Sequence, residues 1–154
     1  MKAFVIIESL FFLLLFSCNN SGKQSKKGAS ENDLDAARNF LDAALKGDYK
    51  NAAAYMVQDS TNLVYLNMAD RIYKGKPAGE KDSLRTASLR FYDTKLINDS
   101  TTITVFSNSY KNKKDNLKIV RTNGQWLVDL KYLFEHDMDT TVYKQQTKID
   151  TIHK

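Results

Sequence analysis

Few residues of this 154-residue chain have the type and spacing to do chemistry. Cys18 is its single cysteine. A cysteine thiolate is a strong nucleophile, so Cys18 can carry a thioether-linked group. It has no second cysteine for a disulfide, and stability must come from an ordinary core. The two histidines, His136 and His153, both fall in a polar C-terminal stretch. Glu135-His136-x-x-Asp139 sets one imidazole beside two carboxylates, a weak metal-ligand set that reads better as a solvated tail. We therefore expect neither a metal nor a cofactor. The sequence holds no Ser–His–Asp set, no glycine-rich phosphate loop and no His/Cys cluster. Asp93 and Lys95 remain, two positions apart in a β-type segment, so both project to one face. With Ser107 and Arg121 they either line the mouth of a polar pocket or mark a sheet end that projects into water. No histidine stands beside Asp93 to make a base tuned near neutral pH, and no residue is assigned a catalytic role.

The segment that presents Cys18 is distinctive. Lys2 supplies one positive charge, and Leu10–Phe16 is an uninterrupted apolar run. That run has the length of a signal-peptide core. It falls short of the roughly 20 apolar residues that a bilayer span needs. Apolar character stops within one residue at Leu15-Phe16-Ser17-Cys18. The run resembles the bacterial lipobox: Leu at −3, a small residue at −1, Cys at +1. The resemblance implies a signal peptide over residues 1–17, cleavage between Ser17 and Cys18, and acyl chains on Cys18. Each buried CH₂ contributes about 0.8 kcal/mol, and more than one chain anchors stably. The membrane is then a partner through acylated Cys18. Asn19 replaces the Asp of an inner-membrane retention signal, and the following residues lack an acidic cluster. The expected address is the periplasmic face of the outer membrane.

Loss of residues 1–17 removes Lys2 and Glu8 and leaves the net charge at +5. The cations are dispersed, with small clusters at Lys23–Lys27 and Lys111–Lys114. The first lies in a stretch without large apolar side chains, residues 18–30, which reads as a flexible tether. The second lies in an expected hairpin turn. Nucleic acid is excluded as a partner on this distribution.

A single domain is expected over residues 31–133, followed by a polar tail, 134–154, that could carry a short strand at Thr140–Tyr143. Ser30 and Asp33 suggest a capping-box start to a first helix. Its stripe is Leu34, Ala37, Leu41, Ala44 and Leu45, with Phe40 beside it. Gly47 suits the position after its end. Asp48 can cap a second helix, Tyr49 to Met56. Asp59-Ser60 can start a third, with Leu63, Leu66, Ala69 and Ile72 apolar, to about Tyr73. Pro77 ends that run. Strands are expected over Leu89–Ile97, Thr101–Tyr110, Leu117–Thr122 and Gln125–Tyr132, with Asn123-Gly124 a hairpin turn.

Helices followed by an antiparallel meander make an α+β domain: three N-terminal helices on a sheet of three to four strands. Two runs carry a family resemblance. Asn39-Phe40-Leu41-Asp42-Ala43-Ala44-Leu45-Lys46-Gly47-Asp48-Tyr49 looks like the first helix and turn of a domain of unknown function common in small bacterial lipoproteins. Asn123-Gly124-Gln125-Trp126-Leu127-Val128-Asp129 looks like its closing hairpin. That domain has the nuclear-transport-factor-two-like cone fold, with helices packed on a strongly curved sheet. The resemblance implies a fold and no particular reaction.

Alternation places Phe91, Ile97, Ile103, Val105, Leu117, Ile119, Trp126, Val128 and Leu130 toward the helices, with Asp93, Lys95, Ser107 and Arg121 on the same face. The opposite face then carries Tyr92, Leu96, Phe106, Tyr110, Val120 and Leu127, a large apolar area for water to cover. That face suits a homodimer or an envelope protein partner. The resulting expectation is a lipid-anchored, non-enzymatic binding module of the cell envelope. The alternative is a cone-pocket enzyme of hydrolase, isomerase or lyase type that uses an inward Asp93 without histidine.

Overall fold

The computed structural model describes residues 30–135. The expected signal peptide, Ser17, Cys18, most of the tether and residues 136–154 lie outside the described residues, as do His136 and Asp139.

Helix α1 spans Asp33–Leu45. Its N-cap is Asn32, not Ser30: the Asn32 side chain accepts from Asp35 N at 2.9 Å. Asn is among the best N-caps, and Asp33 and Asp35 in the first turn suit the helix dipole. Ser30 instead accepts from the Asn39 side chain at 3.4 Å. The buried stripe is Ala36, Ala37, Phe40, Leu41 and Ala43. It is rotated from the expected one because the Phe40 ring enters the core and the alanines let the helix lie close to the sheet. The helix ends in a Schellman motif: Gly47 N donates to Ala44 O at 3.0 Å and Asp48 N to Ala43 O at 2.9 Å. Gly47 has φ +77°, and a Cβ there would overlap the Tyr73 ring.

Asp48 caps α2, Tyr49–Ala52, accepting from Asn51 N at 2.9 Å. A 3-10 turn, Ala53–Tyr55, follows, and then the chain straightens. Met56 bridges Val128 in parallel, and Val57 N donates to Val128 O at 2.9 Å. The expected helix through Met56 therefore stops early, because the backbone there joins the sheet edge. Asp59 caps α3, Ser60–Gly75, accepting from Asn62 N at 2.8 Å. The buried side chains of α3 are Asn62, Leu66 and Tyr73, whereas Leu63 and Ile72 are exposed. Pro77 ends α3 but also opens a helix that the sequence reading lacked, α4, Ala78–Arg85. Pro77 is its N-cap, extended at φ −56° and ψ 155°, and its carbonyl accepts from Glu80 N and Lys81 N at 3.1 Å each.

Four strands follow: β1 Leu89–Asn98, β2 Thr101–Asn108, β3 Asp115–Thr122 and β4 Gln125–Asp129. They pair antiparallel in chain order, so β1 and β4 are the edges. The β3–β4 turn has Asn123 at φ 51° and Gly124 at φ 78°, both left-handed. A type I′ hairpin needs that pair of angles. From Leu130 the chain is helical through residue 135, so the last strand is shorter than expected.

Cross-strand register fixes the faces. Phe91 opposes Phe106, Thr104 opposes Leu117, Thr102 opposes Ile119, and Ile119 opposes Val128. The helix-facing side of β2 is therefore Thr102, Thr104 and Phe106, and Phe106 is only 4 % exposed. Ile103 and Val105 lie half-buried on the outer side. The expected phase of β2 is thus corrected by one residue, which exchanges every side chain between faces. The core joins Phe40, Leu41, Met56, Leu117, Ile119 and Val128 across the helix–sheet interface. The described residues are thus an α+β domain with a four-stranded antiparallel sheet.

Candidate functional site

The residues expected to line a pocket do not converge. Asp93 is exposed and lies in a bulge of β1, where its carbonyl accepts from the Thr104 hydroxyl at 3.2 Å. Between Phe91 and Thr94 the register shifts, so residues before and after the bulge exchange faces. Lys95 is exposed and opposes Ile103 on the outer side. Ser107 is buried on that same side, opposite Arg90, and its hydroxyl lies 3.0 Å from Tyr92 Oη. Arg121 belongs to the other side, opposite Trp126, with its guanidinium 5.8 Å from the indole.

The six residues assigned to an apolar outer face also separate. Val120 and Leu127 oppose each other there, half-buried, and Tyr92 is exposed on the same side. Phe106 belongs to the core. Tyr110 lies beyond β2 and donates to Glu80 of α4 at 3.0 Å, which raises its phenol above the ordinary value. Leu96 opposes Thr102 on the helix side of the sheet.

The densest polar constellation is one that the sequence reading missed. Asn62, fully buried, accepts from Leu130 N at 2.7 Å through Oδ1. Its Nδ2 donates to Asp59 at 3.0 Å and to Asp129 at 3.4 Å. Lys131 Nζ lies 3.0 Å from Asp59 and 3.9 Å from Asp129. Lys118 Nζ lies 3.5 Å from Asp129. The group spans the start of α3 and the end of β4, about seventy positions apart in the chain. The Asp59 cap was the only part of it with a local signal.

The electrostatics say what this group can do. The Asn62 backbone N–H, then Lys131, hold the Asp59 carboxyl down at about 2. The hydrogen bond to Asp59 raises the Lys131 ammonium. A general acid or base works best with a pKa near the operating pH, and Asp59 stands far below that. The arrangement satisfies buried donors and acceptors and ties α3 to the sheet. It is a joint between elements rather than a base waiting for a substrate. Among the described residues no group of three or more His, Cys, Asp or Glu could hold a metal ion.

The surface with interaction potential is β1. It is an edge strand, paired on one side only, and every residue from Tyr92 to Asn98 is exposed. Leu96 is 64 % and Ile97 47 % exposed. The Tyr92 ring lies 5.0 Å from the Arg90 guanidinium and 4.3 Å from Lys114 Nζ. Two register shifts bend the strand, which blunts its tendency to pair without limit.

No family model, no curated protein and no solved structure matches the chain.

Proposed function

We propose that this protein is a lipid-anchored module of the cell envelope that binds a protein partner, a second copy included, and carries no turnover of its own. The observation that carries the reading is the exposure of β1: an unpaired sheet edge with Tyr92, Leu96 and Ile97 in water. Leu96 and Ile97 are adjacent near the end of this strand, and exposed apolar side chains that stand together mark contact surfaces. Tyr and Arg are enriched among interface anchors, and the Tyr92 ring lies 5.0 Å from the Arg90 guanidinium on this strand. The acylated Cys18, the tether and the signal peptide that the lipobox resemblance implies would hold the domain at the periplasmic face of the outer membrane. The order of elements, helices before an antiparallel meander, agrees with a nuclear-transport-factor-two-like cone. The enzyme alternative would need Asp93 inside a pocket, and Asp93 is exposed at a bulge.

The test is size-exclusion chromatography of the detergent-solubilised full chain purified from its own envelope. We expect elution above monomer size, reduced to monomer by Leu96→Ser with Ile97→Ser. Identical monomeric elution of both forms would overturn the reading. A reproducible turnover lost in Asp93→Ala at unchanged melting temperature would establish the enzyme alternative instead.

A further inference from the structure

The outer face of the sheet, turned away from the core, gathers cations around an apolar centre. Lys95, Ile103, Lys118 and Asp129 oppose one another in turn and form one row across the four strands. Arg90 stands on the same side, opposite Ser107, whose hydroxyl lies 3.0 Å from Tyr92 Oη. Lys114 directly precedes β3, and its ammonium lies 4.3 Å from the centroid of the Tyr92 ring, with the Arg90 guanidinium at 5.0 Å. Ile103, Val105, Val120 and Leu127 are half-buried on this side, outside the core that joins helices to sheet.

This face is short of counter-charge. Asp129 is already engaged: Lys118 Nζ lies 3.5 Å and Lys131 Nζ 3.9 Å from it, and Asn62 donates to it at 3.4 Å. Asp93, in the β1 bulge, forms no ion pair among the described residues. Arg90, Lys95 and Lys114 have no carboxylate partner among the described residues either. Two of these three cations share one aromatic ring, which attracts each of them but leaves their mutual repulsion in place. A complementary surface would bring the missing anions.

We infer that the partner held at β1 is an acidic protein segment, whose Asp and Glu side chains pair with Arg90, Lys95 and Lys114 on the outer face. This rests on the contact reading of β1 and adds the chemistry of what β1 contacts. A second copy does not fit through this face. A twofold pair uses the same patch twice, and here that sets cations against cations. A protein suits the site better than a phosphate-bearing surface, because the cations lie along a strand whose backbone edge is unpaired. A peptide strand added to that edge pairs through its main chain and sends alternate side chains to opposite faces. Its acidic side chains then meet the outer cations, and its apolar ones fall on the side of Leu96, which is 64 % exposed and opposes Thr102. A lipid headgroup layer or a nucleic acid could use the cations alone.

The test uses the detergent-solubilised full chain and a fluorescein-labelled peptide of alternating Glu and Val, read by fluorescence anisotropy. We expect saturable binding, with Kd raised about tenfold or more by Lys95→Glu with Lys114→Glu. Lys50→Glu with Arg71→Glu reaches the same net charge from exposed positions on α2 and α3 and should leave Kd within about twofold. Both variants should keep the thermal midpoint of the unmodified chain and so report an intact fold. Equal weakening by the two variants would overturn the inference, because bulk charge alone would then act. Tighter binding of inorganic polyphosphate than of the peptide would overturn it in favour of a phosphate-bearing surface. Dimers of the unmodified chain that Lys95→Glu with Lys114→Glu dissolves would overturn it in favour of a second copy. If the peptide does not bind while the envelope-extracted chain still loses a partner on Leu96→Ser with Ile97→Ser, the acidic partner falls and the contact reading of β1 stands. If the extracted chain is monomeric as well, both fall.

Discussion

Asn62 does more than its size suggests. Fully buried itself, it satisfies Leu130 N and donates to two carboxylates, the buried Asp129 and the partly exposed Asp59. Asn62→Ala leaves a buried N–H unpaired and two carboxylates short of a donor. We expect a loss of about 2–3 kcal/mol, read from urea unfolding. Asn62→Asp should be worse, because it cannot donate to Asp59 or Asp129. The neighbouring Asp59 makes a pH prediction. Its carboxyl is held at about 2 in the folded chain against an ordinary 3.8. Between those values the unfolded state binds more protons, so stability rises with pH there. The contribution is fully present above about pH 4 and is lost as pH falls through about 2. Asp59→Asn keeps a competent cap and should flatten this part of the acid-unfolding curve. An acid limb identical to that of the unmodified protein would remove Asp59 as its cause.

At the scale of elements, the phase of β2 is the sharpest point. Phe106 sits between helices and sheet, whereas Ile103 and Val105 are half-buried outside. Phe106→Ala should cost about 3–5 kcal/mol, and Ile103→Ala markedly less. Equal losses would contradict the register. This phase was not legible in the sequence, because Thr101–Asn108 offers an apolar set on either face. The choice falls to its neighbours in β1 and β3. The caps Asp48 and Asp59 and the Asn123-Gly124 turn were legible, since each is local chemistry. Helix α4 was not, because Leu84 is its only buried side chain and gives little periodicity. The pocket reading of Asp93 and Lys95 failed for a related reason: simple alternation cannot foresee a bulge. The joint around Asn62 depends on contacts between distant parts of the chain, which no local pattern announces. The α1–α3 contact makes a further prediction. Gly47→Ala meets both a positive φ and the Tyr73 ring, and should destabilise by about 2 kcal/mol or more. Thermal unfolding in a Tyr73→Leu background should recover part of that loss.

The whole molecule combines an expected anchor at Cys18 with a domain whose polar joint closes on itself and whose edge strand faces outward. Cys18→Ala should leave the precursor uncleaved or release a soluble product. If that variant were cleaved at the same bond and still partitioned into detergent as the unmodified protein does, the lipobox reading would be wrong. The binding role makes the central claim. The most direct measurement of it is a native mass spectrum of the full chain extracted from its own envelope, beside Leu96→Ser with Ile97→Ser prepared identically. The account predicts a second protein chain bound to the unmodified form and missing from the double variant, at the same lipid mass on both. The same single-chain mass for both forms would contradict it.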